Sequence, residues 1–154
     1  MGKFTCQELE EAAKTYNKAR ARASETGDWR IWAALFTEDA HYIEHAYGDF
    51  HGREEIEKWI MDVMAPFPHM DFPWEWYCID EANDAIVFCV QNTLPHPDRK
   101  FSFPNWSRVI YAGKGLFSYQ EDIYNPARTE PVFQEWLAMG GKLESEPRVE
   151  PKYR

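Results

Sequence analysis

The sequence predicts an α+β fold in which helices cover one face of a curved, mostly antiparallel sheet. Apolar residues recur at three- and four-residue steps over residues 5–25 and again after Gly52, which is the spacing of amphipathic helices. Between residues 74 and 125 the pattern changes to apolar and alternating runs separated by turn residues, which is typical of strands. Such a sheet forms half a cone, and helices that close it leave a natural ligand cavity.

The N-terminal part is predicted to contain three helices and one strand. The first helix covers residues 5–25 and ends at Gly27, and Asp28 caps a short second helix. The first strand is expected at about 40–46, and Gly52 separates it from the third helix. The second helix is expected to bury Trp29, Trp32, Leu35 and Phe36, and the third to bury Ile56, Trp59, Ile60, Val63 and Met64.

The C-terminal part is predicted to contain four strands and one short helix. Pro104 lies inside the third of these strands, which indicates an edge position or a bulge. The helix is expected over residues 130–139. We predict one domain over residues 1–141, followed by a polar tail over residues 142–154 that is mobile or lies on a neighbouring molecule. The four strands are expected at residues 74–80, 84–94, 100–112 and 115–125.

The charge and the aromatic content of the chain narrow its possible partners. The formal net charge is −9, which argues against a nucleic-acid binder and against an anionic membrane surface as partner. Aromatic residues make up 16% of the chain, more than an ordinary core of this size needs. Aromatic-lined cavities and subunit interfaces both use such an excess. We therefore expect no nucleic acid and no membrane as partner, while a neutral small molecule stays open.

The cysteines and the N-terminus predict a cytoplasmic protein. The chain has three cysteines, Cys6, Cys78 and Cys89, without a C-x-x-C spacing, which favours free thiols in a reducing compartment. Cys78 and Cys89 lie in apolar runs and are expected in the core. The chain opens on a polar helix without a signal-peptide pattern, and no apolar run approaches the length of a membrane span.

Two stretches of the chain resemble a known family. "GDWRIWAALFTEDAHYIEH", followed by "GREEIEKWI", resembles the opening of SnoaL-like proteins of the nuclear transport factor 2-like superfamily. "NWSRVIYAGKGLFSYQEDIYNP" resembles their closing pair of strands. The resemblance covers about residues 8–138. It implies a cone-shaped α+β barrel in which three N-terminal helices close the sheet.

The resemblance also implies a class of chemistry. Ketosteroid isomerase, scytalone dehydratase and polyketide cyclases share a deep apolar cone with a few acid/base side chains and no cofactor. We therefore expect a cofactor-independent lyase or isomerase that acts on a hydrophobic, aromatic or polycyclic oxygenated compound as a homodimer or homotrimer. Dehydration, a double-bond shift and retro-aldol cleavage stay open. The alternative is a non-catalytic ligand-binding or assembly module, whose carboxylates would be exposed or salt-bridged and whose cone would be filled by its own aromatics.

Two carboxylates are the catalytic candidates. Strand alternation puts Tyr42 and Glu44 on one face and His41 and His45 on the other, and the resemblance implies that the first pair faces the cavity. An aromatic pocket raises the pKa of a carboxylate such as Glu44 into the range useful for acid/base work. Simple patterning would turn Asp122 toward water. The resemblance instead places it on the cavity wall in an acid/base role.

Further residues are candidates for binding substrate. The resemblance places Tyr16 where it can bond a substrate oxygen, although a core tyrosine is an equal alternative. Glu25 stands where related dehydratases carry an aspartate, but its histidine partner has no clear counterpart; His69 and Asp71 are only nearby candidates. The predicted substrate-binding residues are Tyr16, Tyr42, Tyr124, Asn92, His69 and Trp59.

A metal site is the least favoured interpretation of the histidine-rich stretch at residues 38–52. On a strand, His41 and His45 share a face, but about 13 Å of rise separates them, too far for one ion without a bulge. The same spacing on a helix would suit a metal. We therefore predict that His41, His45 and His51 lie on the outer face and that no metal is bound.

Overall fold

The computed structural model describes residues 2–152 and contains one six-stranded sheet with four α-helices. None of the helices in this range is long and apolar enough to cross a membrane. In chain order the elements are α1 (Cys6–Thr26), α2 (Arg30–Ala33), β1 (Phe36–Glu44), β2 (Gly48–His51), α3 (Arg53–Met64), β3 (Trp74–Asp80), β4 (Ala85–Leu94), β5 (Phe101–Gly113), β6 (Leu116–Ile123) and α4 (Pro126–Ala138).

The sheet has the strand order β2-β1-β6-β5-β4-β3. Neighbouring strands are antiparallel except for β1 and β6, which are parallel. The sheet is open, because β2 and β3 form its two free edges. The predicted α+β fold with a mostly antiparallel sheet is confirmed, and α4 adds a C-terminal helix to the three N-terminal ones.

Helix α1 begins and ends where local chemistry requires it. The Thr5 hydroxyl accepts a hydrogen bond from the Glu8 amide, and the Glu8 carboxylate accepts one from the Thr5 amide, so both orphan donors are satisfied. At the other end Gly27 has φ 75°, a left-handed conformation that favours glycine. The predicted span of residues 5–25 is confirmed to within one residue.

Two element boundaries differ from the sequence prediction. Strand β1 begins at Phe36 rather than near residue 40, and it folds back onto a short strand β2 that periodicity did not reveal. Helix α4 begins at Pro126 rather than at residue 130, because the Asn125 side chain accepts from the Ala127 amide and caps it there. The Asn125 cap therefore determines where α4 begins, although the apolar pattern of its first turn predicts a helix only weakly.

Pro104 and Cys78 show the effect of strand edges. β6 pairs with β5 only as far as Trp106, so Pro104 has no partner on that side and occupies a local edge. The prediction that Cys78 lies in the core is wrong: Cys78 is exposed, whereas Cys89 is buried. A register shift between Trp74 and Trp76 occurs in the edge strand β3, and beyond it Trp76 and Cys78 face solvent.

The C-terminal tail packs on its own chain. The Glu144 amide donates to the Pro66 carbonyl at 2.7 Å, and the Lys152 amide donates to the Ala46 carbonyl at 2.6 Å. The tail therefore runs from the end of α3 to the turn between β1 and β2. The domain boundary at residue 141 stays a prediction, and Tyr153 and Arg154 lie outside the described residues.

Trp136 holds α4 against the rest of the domain. Its side chain is 1% exposed, and its Nε1 donates to the Pro95 carbonyl at 2.8 Å. Replacing Trp136 with alanine leaves a large cavity and an unpaired carbonyl, so we expect a loss of about 3–5 kcal/mol in the free energy of unfolding. Urea denaturation of Trp136→Ala measures this loss. Met139→Ala, at an exposed position, is the control and should change stability by less than about 0.5 kcal/mol.

Candidate active site

A cavity of about 170 Å³ lies between the concave face of the sheet and the helices. Its volume is close to the roughly 150 Å³ cavity known to hold one benzene ring. Most of its wall is apolar, and a few polar groups point into it. The aromatic lining residues are Trp29, Trp32, Tyr42, Tyr47, Trp59, Phe67, Phe72, Phe103, Tyr124 and Phe133, and the polar ones include Arg20, Glu44, Asn92, Asn105, Gln120 and Asp122. We call this space the cone cavity.

The structure brings most of the predicted site residues together at the cone cavity. Tyr16 lies one layer behind the wall, fully buried, and its hydroxyl donates to Gln120 Oε1 at 2.8 Å. Whether any of these residues acts on a substrate stays a prediction. The predicted residues that line the cavity are Tyr42, Glu44, Trp59, Asn92, Asp122 and Tyr124.

His69 and Glu25 lie away from the cone cavity. His69 is exposed, its Nδ1 is 2.8 Å from the Ser24 carbonyl oxygen, and it does not line the cavity, so its role in substrate binding stays a prediction that this placement does not support. Glu25 is exposed and pairs with Arg22 at 2.8 Å. Glu25 lies in the last turn of α1 and His69 in a surface turn, and both positions face solvent. The described residues that line the cavity include no histidine, so they offer no aspartate–histidine type of dyad.

Parallel pairing of β1 with β6 creates the acidic centre of the cavity. Glu44 lies directly opposite Asp122 in the strand register, and Tyr42 lies opposite Gln120. Side chains at paired positions share a face of the sheet, so the two carboxylates meet on the concave side. The expected inward orientation of Tyr42, Glu44 and Asp122 is what the structure shows.

Asp122 is held by three hydrogen-bond donors. Its carboxylate accepts from the Tyr42 hydroxyl, from Ser107 Oγ at 2.6 Å and from Gln120 Nε2 at 2.9 Å. Asn105 Nδ2 donates in turn to Ser107 Oγ at 3.1 Å. This arrangement satisfies a buried carboxylate without a cation.

The Asp122 network continues through Tyr16 into the helical layer. Gln120 uses its amide nitrogen on Asp122 and its amide oxygen on the Tyr16 hydroxyl, and Trp32 Nε1 donates to that hydroxyl at 3.0 Å. Burial raises the pKa of Tyr16, and it raises the pKa of Tyr42 further. Both tyrosines therefore stay neutral donors.

Glu44 has a different environment from Asp122. Its side chain is 3% exposed, and burial raises its pKa to about 7, with a smaller contribution from the Asp122 charge. The Ala46 amide donates to Oε1 at 3.2 Å and, together with the Tyr124 hydroxyl, opposes this rise. Oε2 is buried and has no hydrogen-bond partner among the described residues. Glu44 therefore changes protonation state near neutral pH and keeps one oxygen available.

Sequence reasoning gave no role to Ser107, Asn105, Gln120 or Arg20. Ser107 and Gln120 hold Asp122, and Asn105 donates to Ser107. Alternation along β6 puts Gln120 on the same face as Asp122, whereas an isolated serine or asparagine in a strand gives no signal. Arg20 lines the cone cavity and is 4% exposed. Its position was readable, because it falls at the three- and four-residue steps of the buried stripe Leu9, Ala13, Tyr16 and Ala23.

The outer face of the β1–β2 hairpin carries the histidines. His41 pairs with His51 across the two strands, and their rings stack at 4.5 Å. His41, Asp49 and His51 offer three ligand atoms within 4.8 Å of one another, whereas His45 lies near Glu121 at 3.1 Å. The histidines thus lie on the outer face. The absence of a bound metal stays a prediction.

The open α+β cone around an apolar cavity is the nuclear transport factor 2-like class of fold. The model of the SnoaL-like domain family matches residues 18–113, more than half of the chain. The chain therefore belongs to the SnoaL-like domain family. No curated protein matches it in sequence.

Three solved structures illustrate the fold. An LEH-like epoxide hydrolase of M. tuberculosis is 11% identical to this chain and superposes with a TM-score of 0.66. The alignment covers 86% of this chain and 93% of the hydrolase chain. A putative SnoaL-like polyketide cyclase from Shewanella denitrificans is 13% identical over 82% and 97% of the two chains, with a TM-score of 0.65. A putative isomerase from Bacillus subtilis is 19% identical over 82% and 95%, with a TM-score of 0.65. At these identities the likeness establishes the fold and no activity.

The raised pKa of Glu44 makes a prediction about stability. Below the pKa that it has in the unfolded chain, such a carboxylic acid does not affect stability. As pH rises from that pKa to the higher pKa of the folded state, the unfolded chain ionises first and the free energy of unfolding falls. The rise from 4.5 to about 7 corresponds to a loss of up to about 3 kcal/mol between pH 4.5 and pH 8. Glu44→Gln removes this loss, so the free energy of unfolding of the variant should increase relative to that of wild type as pH increases.

Urea denaturation of both proteins across this pH range measures the difference. Glu54→Gln, at an exposed position on α3, is the control and should follow the wild-type curve. Parallel curves for wild type and Glu44→Gln would show that Glu44 ionises normally.

Proposed function

We propose that this protein is a cofactor-independent acid/base enzyme, a lyase or isomerase that acts on a hydrophobic oxygenated small molecule. The observation that carries the proposal is the pairing of Glu44 with Asp122 at the apolar cone cavity, where neither forms an ion pair with a cation in the described part of the chain. Two carboxylates in contrasting environments are the usual equipment for proton transfer near neutral pH. Solved structures of the same fold include proteins described as an epoxide hydrolase, a polyketide cyclase and an isomerase.

The two carboxylates are suited to different tasks. Glu44 has an unpartnered oxygen and a pKa of about 7, which fits a group that takes up and returns a proton. Asp122 already accepts three hydrogen bonds, so its role is to orient the Tyr42 hydroxyl and Gln120. We assign Glu44 as the catalytic residue and Asp122 as its positioning partner.

The cavity also offers groups that can hold a substrate oxygen. Trp59 Nε1 and Asn92 Oδ1 are buried polar atoms without a partner in the described residues, and both residues line the cone cavity. Tyr124 lines the same wall beside Glu44, and burial raises its pKa, which keeps it a neutral donor. Trp59 Nε1 and the Tyr124 hydroxyl can therefore donate to an oxygen on which negative charge develops.

The proposed reaction needs only these groups. The Glu44 carboxylate removes a proton from the carbon next to a carbonyl, and the electron pair moves onto the carbonyl oxygen to give an enolate. Protonated Glu44 then returns its proton to a different carbon, which shifts a double bond, or to a departing hydroxyl, which leaves as water. Atoms and charge balance in both cases without a cofactor.

The size of the cavity limits the substrate. A volume of about 170 Å³ encloses about one six-membered ring. A polycyclic compound would fit only with its other rings outside the cavity. We therefore propose a monocyclic reacting unit as the group that enters.

The non-catalytic alternative has less support. It predicted exposed or salt-bridged carboxylates and a cone filled by its own aromatics. Glu44 is 3% and Asp122 9% exposed, and the described aromatics leave a cavity between them. A buried, desolvated acid lowers stability, and a passive scaffold has no reason to retain such a residue.

We also propose a homodimer or homotrimer in the cytoplasm. Trp76, Trp106 and Ile123 are exposed on the outer face, where Trp106 lies opposite Ile123 in the strand register and contacts the Trp76 ring at 5.3 Å. Such an apolar row suits an interface between copies.

The proposed function is tested by proton exchange on a small ketone. In heavy water, wild type should catalyse the replacement of α-protons of a cyclohexenone by deuterium, followed by proton NMR. The rate should rise as pH increases through about 7, because the ionised form of Glu44 is the base. Glu44→Gln should lower the rate by about 100-fold or more.

Glu54→Gln is the matched control and should exchange at the wild-type rate. Asp122→Asn should be slower than wild type, since Asp122 positions Tyr42, and its inflection should lie somewhat below that of wild type, because the Asp122 charge contributes to the raised pKa of Glu44. Wild-type exchange in Glu44→Gln, or no catalysed exchange at all, would refute the assignment.

A further inference from the structure

Arg20 is a buried arginine whose guanidinium lacks a hydrogen-bonding partner. Its side chain is 4% exposed, and its Nε and Nη2 atoms are shielded from solvent with no acceptor among the described residues. A guanidinium carries five N–H donors, and unpaired buried donors are costly. By contrast, the arginines that form ion pairs with carboxylates are all closer to the surface: Arg22, Arg30, Arg53, Arg99 and Arg148.

Aromatic rings hold the Arg20 side chain in place. The guanidinium carbon lies 5.0 Å from the ring centres of Tyr16 and Phe72 and 5.3 Å from that of Phe88. Cation–π contacts offset part of the cost of burying the charge. The rings accept no strong hydrogen bonds, so the N–H donors stay unused. A rigid, aromatic-supported cation with free donors is a preorganised receptor for an anion.

Arg20 and the acidic centre belong to the same cavity without forming an ion pair. Arg20 lines the same cavity as Glu44 and Asp122, but neither carboxylate pairs with it. The link to Asp122 runs through Tyr16, whose ring contacts Arg20 and whose hydroxyl bonds Gln120. The cavity thus has one cationic and two acidic side chains in a wall that is otherwise mostly apolar.

We propose that Arg20 binds a carboxylate group of the substrate, so that the enzyme acts on a monocyclic hydrophobic acid. The planar guanidinium fork matches the two oxygens of a carboxylate. Arg20 is the single cationic side chain among the described residues that line the cavity, which matches one negative charge and disfavours a phosphate dianion. The proposal rests on the proposed function in that this ligand is the substrate.

The same arrangement explains how a small substrate would be oriented. With its carboxylate at Arg20, a single ring has its remaining substituents directed along the cavity. An oxygen elsewhere on the ring then has Trp59 and Tyr124 as donors, and the adjacent carbon has Glu44 as base. Fixing one end of a reactant in this way accounts for a large part of the rate of many enzymes.

Binding of a matched pair of probes tests the proposal. We would titrate para-fluorobenzoate and the neutral para-fluorobenzamide into the full-length protein and follow their fluorine NMR signals. At about pH 6 the benzoate is ionised and Glu44, with a pKa of about 7, is mostly neutral. Wild type should bind the benzoate at least about tenfold more tightly than the benzamide, the ratio expected for one charge-assisted bond.

Arg20→Met is the decisive variant, because methionine keeps an apolar chain of similar length against the rings. It should lose the preference for benzoate while its affinity for benzamide is unchanged. Its melting temperature should be equal to or above that of wild type, since an unpaired buried charge is removed. Arg22→Met, on the exposed face of the same helix, should behave as wild type.

The outcomes separate this proposal from the proposed function. Glu44→Gln should keep the preference for benzoate and lose proton exchange. If wild type itself prefers benzoate but catalyses no exchange, the Arg20 site stands and the proposed reaction fails. The Arg20 site is overturned if wild type binds both probes equally, if it binds neither, or if Arg20→Met retains the preference. A lower melting temperature in Arg20→Met with an unchanged preference would identify Arg20 as structural.

Discussion

The parallel pairing of β1 with β6 is the constraint on which the site depends. These strands come from opposite halves of the chain, and their register sets Glu44 opposite Asp122. A shift of β1 by one residue against β6 would turn Glu44 to the outer face and separate it from Asp122, because side chains alternate along a strand. The buried rings of Phe36 and Tyr42 on β1 fix this register, since both would become exposed by such a shift.

Once the two carboxylates are buried together, their surroundings determine how each behaves. Asp122 receives three donors from Tyr42, Ser107 and Gln120, which compensate the loss of water. Glu44 receives one backbone amide and keeps an unpartnered oxygen, so its pKa rises. The two carboxylates thus have contrasting environments, and the difference lies in the number of donors.

The aromatic side chains provide the apolar surroundings of the polar groups in the cavity. Rings of Tyr42, Phe50 and Trp59 pack against one another on the hairpin side of the cavity, while Tyr16 and Phe88 support Arg20 on the other side. The faces of these rings exclude water, and among them only the Tyr42 and Tyr16 hydroxyls and Trp59 Nε1 can donate hydrogen bonds. Each polar group that points into the cavity therefore keeps its full electrostatic effect.

Local patterns in the sequence determined the elements. The apolar stripe of α1, the stop at Gly27 and the runs of β3 to β6 depend on neighbouring residues, and their predicted positions agree closely with the structure. The alternation along β1 also separated Tyr42 and Glu44 from the histidines. Short β2 and the start of α4 were missed because pairing and capping, rather than periodicity, define them.

The tertiary structure decided which of those residues meet. Asp122 and Glu44 become neighbours through strand pairing over a long sequence separation, and Ser107 joins them from β5, where it lies opposite Asp122, with no local signal. His69 moves out of the candidate site, and Arg20 enters it. Burial, pKa and unpaired donors belong to the packed environment of a side chain, and a linear sequence specifies that environment only through the fold.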